Sequence, residues 1–161
     1  MFTNAAVATK GVLGTKGEKM VTPYDVDPRR LIERAAARLK EEYESVKPPA
    51  WSAFTKSGSG RQRAPRQKNF WYLRCASLLR KLYVDGSKGV NRLRTAYGSR
   101  KKHGVRRKHA SKAGGSILRK GLQQLEKAGL VRKGKEGGRM LTSKGRAFLD
   151  SVAKEVEGGR K

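Results

Sequence analysis

The chain has 161 residues, with 39 Lys or Arg against 13 Asp or Glu, and its formal net charge at pH 7 is +26. This length is sufficient for one domain with a hydrophobic core. The single cysteine excludes an intramolecular disulfide, and with it a small secreted fold stabilised by disulfides. No apolar run is long enough to span a bilayer or to serve as a secretory signal, so we expect an intracellular protein without a membrane partner.

Three segments are expected along the chain. Residues 1–19 are predicted to form a flexible basic extension, or else to reflect the choice of start codon. Residues 20–157 are predicted to form the folded domain, and residues 158–161 a short C-terminal tail.

The first predicted helix begins after Asp27, which is a good N-cap, and Pro28 suits the first helical position because its missing N–H needs no partner there. Two prolines at 48–49 end the helix. Trp51 and Phe54 follow and are predicted to be hydrophobic anchors, with Trp51 packed against this helix. The apolar residues that recur at helical spacing are Leu31, Ile32, Ala35, Ala36, Leu39 and Tyr43.

Residues 56–68 have almost nothing to bury and are predicted to form a basic loop that is ordered only when a partner holds it. Asn69 is the predicted N-cap of a second helix over about 70–84, and a shorter helix is expected over 88–97. Residues 98–116 are predicted to form a second basic loop. The apolar positions are Trp71, Cys75, Leu78, Leu79 and Leu82 in the second helix, and Val90, Leu93 and Tyr97 in the shorter one.

The positive charge is concentrated in this middle third of the chain. Between Lys56 and Lys112 there are eighteen Lys or Arg residues and one carboxylate, that of Asp85. So many like charges repel one another and destabilise the compact state unless a polyanion is present. Because an aromatic run at 70–72 lies inside the basic stretch, the charge surrounds folded structure, and nucleic acid is the first partner to consider.

The C-terminal third predicts a winged helix. Ser116 is the expected N-cap of a helix that Gly129 ends, and strands follow over 130–133 and 139–141 with a glycine-rich turn between them. Thr142 then caps a last helix. The predicted fold class is therefore mostly α: a winged-helix-like helical domain with a small two-stranded β-hairpin and long basic loops.

Catalysis has little support in the sequence. The only histidines, His103 and His109, both lie in a predicted basic loop, and one cysteine cannot build a zinc site of the Cys/His type. Cys75 lies on the apolar side of its helix, where we interpret it as a small buried hydrophobe. We therefore expect no enzymatic activity, no cofactor, no metal site and no small-molecule substrate.

Of the two nucleic acids, RNA is favoured. A winged helix that reads DNA would place the helix after Ser116 in the major groove, whereas the major groove of A-form RNA is too deep and narrow for that use. Long basic loops suit an irregular RNA surface better than a regular duplex, and arginine planes stack on unpaired bases. The alternative is a winged-helix DNA-binding transcriptional regulator, and a protein that coats DNA is a third, weaker option.

Several motifs resemble a known family. They include Tyr24-Asp25-Val26, Pro49-Ala50-Trp51, Ala64-Pro65, Phe70-Trp71-Tyr72-Leu73-Arg74-Cys75-Ala76-Ser77, Leu122-Gln123-Gln124-Leu125-Glu126, Gly138-Arg139 and Leu141-Thr142. Over about residues 20–157 the chain is similar to the nineteen-e family of the archaeal and eukaryotic small ribosomal subunit. The resemblance implies a mostly helical winged-helix fold in the head of that subunit, in the cytoplasm, as a monomer within the ribosome. It also implies contact with ribosomal RNA and neighbouring ribosomal proteins, a part in subunit maturation, and no enzymatic activity.

One departure from the family is visible. Where relatives commonly have Pro-x-His-Phe, this chain has Arg107-Lys108-His109-Ala110, so a rigid turn and an aromatic anchor are missing. The family's RNA contacts carry over most directly to Arg74, Arg80 and the basic run 100–102. The full set of predicted RNA-binding residues is Arg61, Arg63, Arg66, Lys68, Arg74, Arg80, Lys81, Arg94, Arg100, Lys101, Lys102, Arg106, Arg107, Lys108, Lys112 and Arg119.

Overall fold

The computed structural model describes residues 21–134 and 137–159, and the predicted extension over 1–19 and the last two residues of the predicted tail lie outside this part. Helices dominate it, and none of them is long and apolar enough to cross a membrane. In chain order the elements are α1 (Pro28–Glu42), a 3-10 turn (Ala50–Ala53), α2 (Phe70–Asp85), α3 (Val90–Ala96), β1 (Ser99–His103), β2 (Arg106–Ser111), α4 (Gly115–Lys127), β3 (Val131–Lys133), β4 (Arg139–Leu141) and α5 (Ser143–Gly158).

Three of the predicted N-caps are confirmed. The Asp27 carboxylate accepts a hydrogen bond from the Arg29 N–H at 3.3 Å, and Thr142 Oγ1 accepts one from the Gly145 N–H at 3.1 Å. Asn69 occupies the N-cap position of α2 without such a side-chain bond. At α1 and α5, the short polar side chain therefore satisfies a backbone donor that the helix itself leaves free.

The predicted start of α4 is wrong. The N-cap is Gly114, and Ser116 lies exposed in the first turn. The Gly114 N–H donates to the Ser57 carbonyl oxygen at 2.8 Å, and a Cβ on Gly114 would lie 3.3 Å from the same oxygen. Glycine therefore allows the chain before α4 to approach a neighbouring segment closely, and this long-range contact sets the helix start.

One hydrophobic core is shared by the helices. α1 packs against α2 and α5, while α4 packs against α2 and α3. The predicted apolar stripes line this core, and burial of each large aliphatic side chain contributes about 1.5–3 kcal/mol. The largest fully buried side chains are Leu31, Leu39, Val46, Leu78, Leu79, Leu93, Leu118, Leu122, Leu125, Leu130, Val131 and Leu149.

The predicted C-terminal hairpin is confirmed, and we call β3–β4 the wing. Val131 pairs with Leu141 in an antiparallel register. Lys88 and Arg139 exchange backbone hydrogen bonds of 3.0 and 3.1 Å, so the residues before α3 extend this small sheet. α4, the wing and α5 follow one another as in a winged helix, so the predicted fold class is confirmed.

The prediction of a second basic loop over 98–116 is wrong about the local structure of this segment. Most of it forms the antiparallel β1–β2 hairpin, which we call the basic hairpin. His103 pairs with Arg106, leaving Gly104 and Val105 at the tip, and Gly104 has the positive φ of 65° that two-residue turns favour. Almost every residue of both strands is exposed, so the sequence contains no alternation of apolar and polar residues that would have indicated strands.

The predicted roles of Trp51 and Phe54 also need correction. Trp51 packs edge-on against Trp71 of α2, with ring centroids 6.0 Å apart, where a contact with α1 was expected. Gln124 of α4 accepts a hydrogen bond from the Trp71 indole at 2.7 Å and donates one to the Lys47 carbonyl at 2.6 Å. This bridge directs the chain after α1 towards α2 and α4. Phe54 is 87% exposed and is not a core anchor.

Candidate nucleic-acid interface

Four elements of the basic region meet around Ala113, which is buried and joins the basic hairpin to α4. The Ala113 N–H donates to the Arg94 carbonyl oxygen, and Arg94 Nε donates to the Ala113 carbonyl oxygen, both at 3.0 Å. Gly58 forms an isolated β-bridge with Ala113 from the other direction. The segment 56–68, α3, the basic hairpin and the start of α4 therefore form one connected surface.

Small residues attach the segment 56–68 to the base of the basic hairpin. The Ser59 and Ser111 hydroxyls are in hydrogen-bond contact, and a Cβ on Gly60 would collide with Ser99 Oγ. Glycine at this position therefore leaves room for the Ser99 side chain at the base of the basic hairpin. Contacts within the chain position this segment, which the sequence predicted to need a partner.

Arg74 of α2 lies between this segment and α3. Its guanidinium carbon is 4.4 Å from the centre of the Tyr97 ring and 5.2 Å from that of Phe70. Burial lowers the pKa of Arg74, and the nearby positive charge of Arg61 lowers it further. In the described part of the chain no carboxylate lies within ion-pair distance of Arg74, and stacking on aromatic rings holds its guanidinium in place.

Asp85, the acid at the end of α2, has cations on both sides of it in the chain. Lys81 Nζ is 3.8 Å from the Asp85 carboxylate, and Lys88 Nζ is 2.6 Å from it. The hydrogen bond from Lys88 is the main reason that the pKa of Asp85 is lowered. Arg80 Nε is buried and has no hydrogen-bond partner within the described part of the chain. Lys81 is thus within ion-pair distance of a carboxylate, whereas Arg80 interacts with Asp85 only at longer range.

The basic hairpin carries the densest unpaired charge. Six cations lie on its two short strands, and none of them is within ion-pair distance of a described carboxylate. The rings of His103 and His109 pack edge to face across the strands, with centroids 5.8 Å apart. The six cations are Arg100, Lys101, Lys102, Arg106, Arg107 and Lys108.

α1 and α5 are joined by a network of ion pairs. Arg38 Nε is 2.6 Å from Glu42, and its Nη1 is 2.9 Å from Glu155. Arg34 Nε also lies 2.8 Å from Glu155. The hydrogen bond to Glu42 is the main reason that the pKa of Arg38 is raised. Positive charge on this side of the molecule is therefore partly neutralised within the chain, unlike charge on the basic hairpin.

The predicted binding residues fall into two groups. Four have partly buried side chains, whose charged groups contact other residues of the chain or are shielded from solvent. They are Arg74, Arg80, Lys81 and Arg94. The others are exposed: Arg61, Arg63, Arg66, Lys68, Arg100, Lys101, Lys102, Arg106, Arg107, Lys108, Lys112 and Arg119. Lys68 lines a groove beside α1 together with Glu33 and Lys40, so it lies apart from the surface around Ala113.

Sequence reasoning missed the structural part played by Arg94 and the junction at Ala113. Neither residue belongs to a recognisable motif, because their contact joins positions 19 residues apart through backbone atoms. The glycine at 104 between two basic runs was the available signal for the hairpin turn. Within residues 21–134 and 137–159, no group of three or more His, Cys, Asp or Glu is placed to hold a metal ion.

Comparison with known proteins finds a matching family and several similar proteins. The sequence profile of the family described as ribosomal protein S19e matches residues 22–158. The protein named small ribosomal subunit protein eS19 from Aeropyrum pernix is 47% identical over 138 residues, which are 85% of this chain and 90% of that protein. Its counterpart from Haloarcula marismortui is 44% identical over 141 residues, covering 85% and 92% of the two chains. The protein eS19G from Ascaris suum is 41% identical over 139 residues, covering 86% and 93%.

These matches confirm the resemblance that the motifs indicated. They also support the prediction that the chain is not an enzyme, because the family is one of ribosomal proteins. Since the profile and the relatives each cover most of the sequence, the chain belongs to the ribosomal protein S19e family.

Proposed function

We propose that this protein is a structural component of the small ribosomal subunit, in the cytoplasm, where it binds ribosomal RNA and supports maturation of the subunit. The observation that carries the proposal is the surface around Ala113, where unpaired cations from the segment 56–68 and the basic hairpin lie on one connected framework. Lys and Arg side chains release condensed counterions when they replace them on a phosphate backbone. The names of the relatives support a ribosomal setting for this contact.

The winged helix by itself would also suit a DNA-binding regulator, but the surroundings of α4 argue against that use. Residues Trp51, Thr55 and Lys56 line a cavity together with the first turn of α4, and Gln124 ties α4 to the Lys47 carbonyl. The segment that follows α1 therefore flanks the start of the helix that would have to enter a major groove. Phosphate contacts from the basic hairpin need no such insertion.

The proposal is tested with two charge-reversal variants that change the net charge equally. One is Lys101→Glu with Lys102→Glu on the basic hairpin, and the control is Lys40→Glu with Lys154→Glu on α1 and α5. Binding to small-subunit ribosomal RNA is measured over a range of salt concentrations. We expect the hairpin variant to bind at least tenfold more weakly and to lower the slope of log affinity against log salt by about 1.5, since each lost phosphate contact removes about 0.7–0.9.

The control variant should keep the affinity and the slope of the unchanged protein. Equal losses in both variants would show that net charge alone determines binding, and the proposed interface would be wrong. Duplex DNA of matched length is the competitor. If it displaces the RNA as well as unlabelled ribosomal RNA does, the DNA-binding alternative is favoured instead.

A further inference from the structure

A cavity of about 480 Å³ lies where the 3-10 turn meets the first turn of α4. Its volume is in the range of sites that hold small ligands, about 300–1,000 Å³. Trp51 and Ile117 supply apolar surface, and the charged residues that line it are three cations, Lys56, Arg119 and Lys120. No carboxylate lines the cavity, so its electrostatic character is positive.

Phe54 is adjacent in sequence to the residues that line this cavity, although its own side chain is not part of the lining. Phe54 precedes two of the lining residues, Thr55 and Lys56, and 87% of its surface is exposed. Burial of this ring on a partner would be favourable, because an aromatic side chain carries a large apolar area. Its position at the end of the 3-10 turn is fixed by a hydrogen bond of 3.2 Å from its N–H to the Trp51 carbonyl.

The Trp51 ring is held in position by a second aromatic ring. It packs edge-on against Trp71, with an angle of 88° between the two ring planes. The Trp71 indole is fixed in turn by its hydrogen bond to Gln124 on α4. A ring immobilised before binding loses little conformational entropy when a ligand stacks on it.

At this cavity a hydroxyl group and the N-terminal turn of α4 both lack hydrogen-bonding side chains within the described part of the chain. Thr55 Oγ1 is buried and makes no hydrogen bond there, and an unsatisfied hydroxyl of this kind is unfavourable. Gly114, the N-cap of α4, provides no side-chain acceptor, and the first turn contains no acid. The free N–H groups and positive end of α4 therefore face the same region as Arg119 and Lys120, and this arrangement favours an anion.

We propose that this cavity is a nucleotide site that takes one unpaired nucleotide of an RNA strand. The base stacks on Phe54 and Trp51, the phosphate lies at the first turn of α4 with Arg119 and Lys120, and rotation about χ1 brings the Thr55 hydroxyl to a ligand atom. This inference rests on the proposed function and adds a contact with a base to a surface that otherwise contacts phosphates. An apolar side chain of a protein neighbour would leave both cations and the helix end without a negative charge.

The test compares two RNA oligomers of equal length and charge, oligoadenylate and an oligomer whose central residues are abasic. Affinity is measured by fluorescence anisotropy at one fixed salt concentration. Stacking on an aromatic side chain is sequence-tolerant, and we expect the unchanged protein to prefer oligoadenylate roughly 5- to 100-fold. Phe54→Leu should lose most of this preference, because leucine keeps the apolar size but has no ring, whereas Phe54→Trp should retain it.

Tyr24→Leu is the matched control, because Tyr24 is also an exposed aromatic residue, at 60%, and lies against Tyr83 away from the cavity. It should leave the preference unchanged. Equal binding of the two oligomers by the unchanged protein, or a preference that survives Phe54→Leu, would overturn the nucleotide site and leave the proposed function standing. If neither oligomer binds at low salt, both the site and the proposed RNA-binding function are wrong.

Discussion

At the scale of single residues, the structure separates arginines that the sequence could not distinguish. Arg100 is exposed on the basic hairpin and free to contact a phosphate, whereas Arg74 is partly buried between aromatic rings. Arg94 uses Nε to hold the Ala113 carbonyl oxygen. For Arg74 and Arg94 we therefore expect substitution to lower stability as well as any affinity for RNA. Arg74 would lose cation–π contacts that contribute about 0.5–2 kcal/mol, and Arg94 would lose a hydrogen bond from a charged group, which contributes about 1.5–3 kcal/mol.

Cys75 gives a prediction that depends on pH. Burial raises the pKa of its thiol from near 9 to about 12. Between pH 9 and 12 the folded state therefore keeps the thiol proton, whereas the unfolded chain loses it. The contribution of this proton to the free energy of unfolding is complete below pH 9 and is lost as the pH rises towards 12. At pH 9 we expect iodoacetamide to alkylate the native protein several hundredfold more slowly than the unfolded chain, because only the thiolate reacts.

The control for this experiment is the same protein in denaturant, where the thiol titrates near its ordinary value. Native and denatured rates within tenfold of each other would contradict the buried, protonated state of Cys75. Replacing Cys75 with Ala should remove the corresponding part of the fall in stability above pH 9.

At the scale of elements, the two hairpins differ in whether an alternation of apolar and polar residues could predict them. The wing was predicted because two strand-like segments flank a glycine-rich turn, and in the structure Val131 and Leu141 are both buried in the core. The basic hairpin pairs its strands equally well, yet neither face is buried, and its residues carry no period of two. Hydrophobic patterning records which side of an element is buried, so an element exposed on both sides leaves no such signal.

The connection between the wing and α5 gives a second prediction. Thr142 Oγ1 accepts a hydrogen bond from the Gly145 N–H and donates to the Gly129 carbonyl oxygen at 2.7 Å. Thr142→Ala should lower the free energy of unfolding by about 0.5–2 kcal/mol. Gly145→Ala should lower it by about 1–3 kcal/mol, because a Cβ would collide with the Leu130 carbonyl oxygen, which belongs to backbone.

Urea denaturation at pH 7 measures both effects, and Ser143→Ala is the matched control at an exposed position in the same turn. It should change stability by no more than about 0.5 kcal/mol. A Gly145→Ala variant as stable as the control would mean that α5 does not pack against Leu130 as described.

At the scale of the whole molecule, charge is distributed unequally between two regions. α1 and α5 carry cations paired with Glu42 and Glu155, while the basic hairpin carries cations without described partners. Repulsion within the hairpin opposes compactness, and the hydrophobic core is not located there. We therefore expect the core helices to fold without charge neutralisation, and the hairpin to gain the most stability from a polyanion.

Lysine footprinting tests this distribution. In the free protein we expect Lys40, Lys101, Lys102, Lys108 and Lys154 to react with an amine-specific reagent at comparable rates, since all are exposed. Small-subunit ribosomal RNA should slow the three lysines of the basic hairpin at least several-fold, because an ammonium held on a phosphate is shielded from the reagent. Lys40 and Lys154 serve as internal controls, and equal protection of all five would contradict an interface confined to the basic region.

The sequence by itself determined the helices, their caps at Asp27 and Thr142, the apolar stripes of the core and the excess of positive charge between Lys56 and Lys112. These properties depend on local chemistry and on periodic burial, both of which a sequence records directly. Only the tertiary structure decided that α4 starts at Gly114, that Phe54 is exposed, and which cations remain free. Each of those outcomes depends on contacts between distant segments, such as Ser57 with Gly114 and Arg94 with Ala113, which no local pattern encodes.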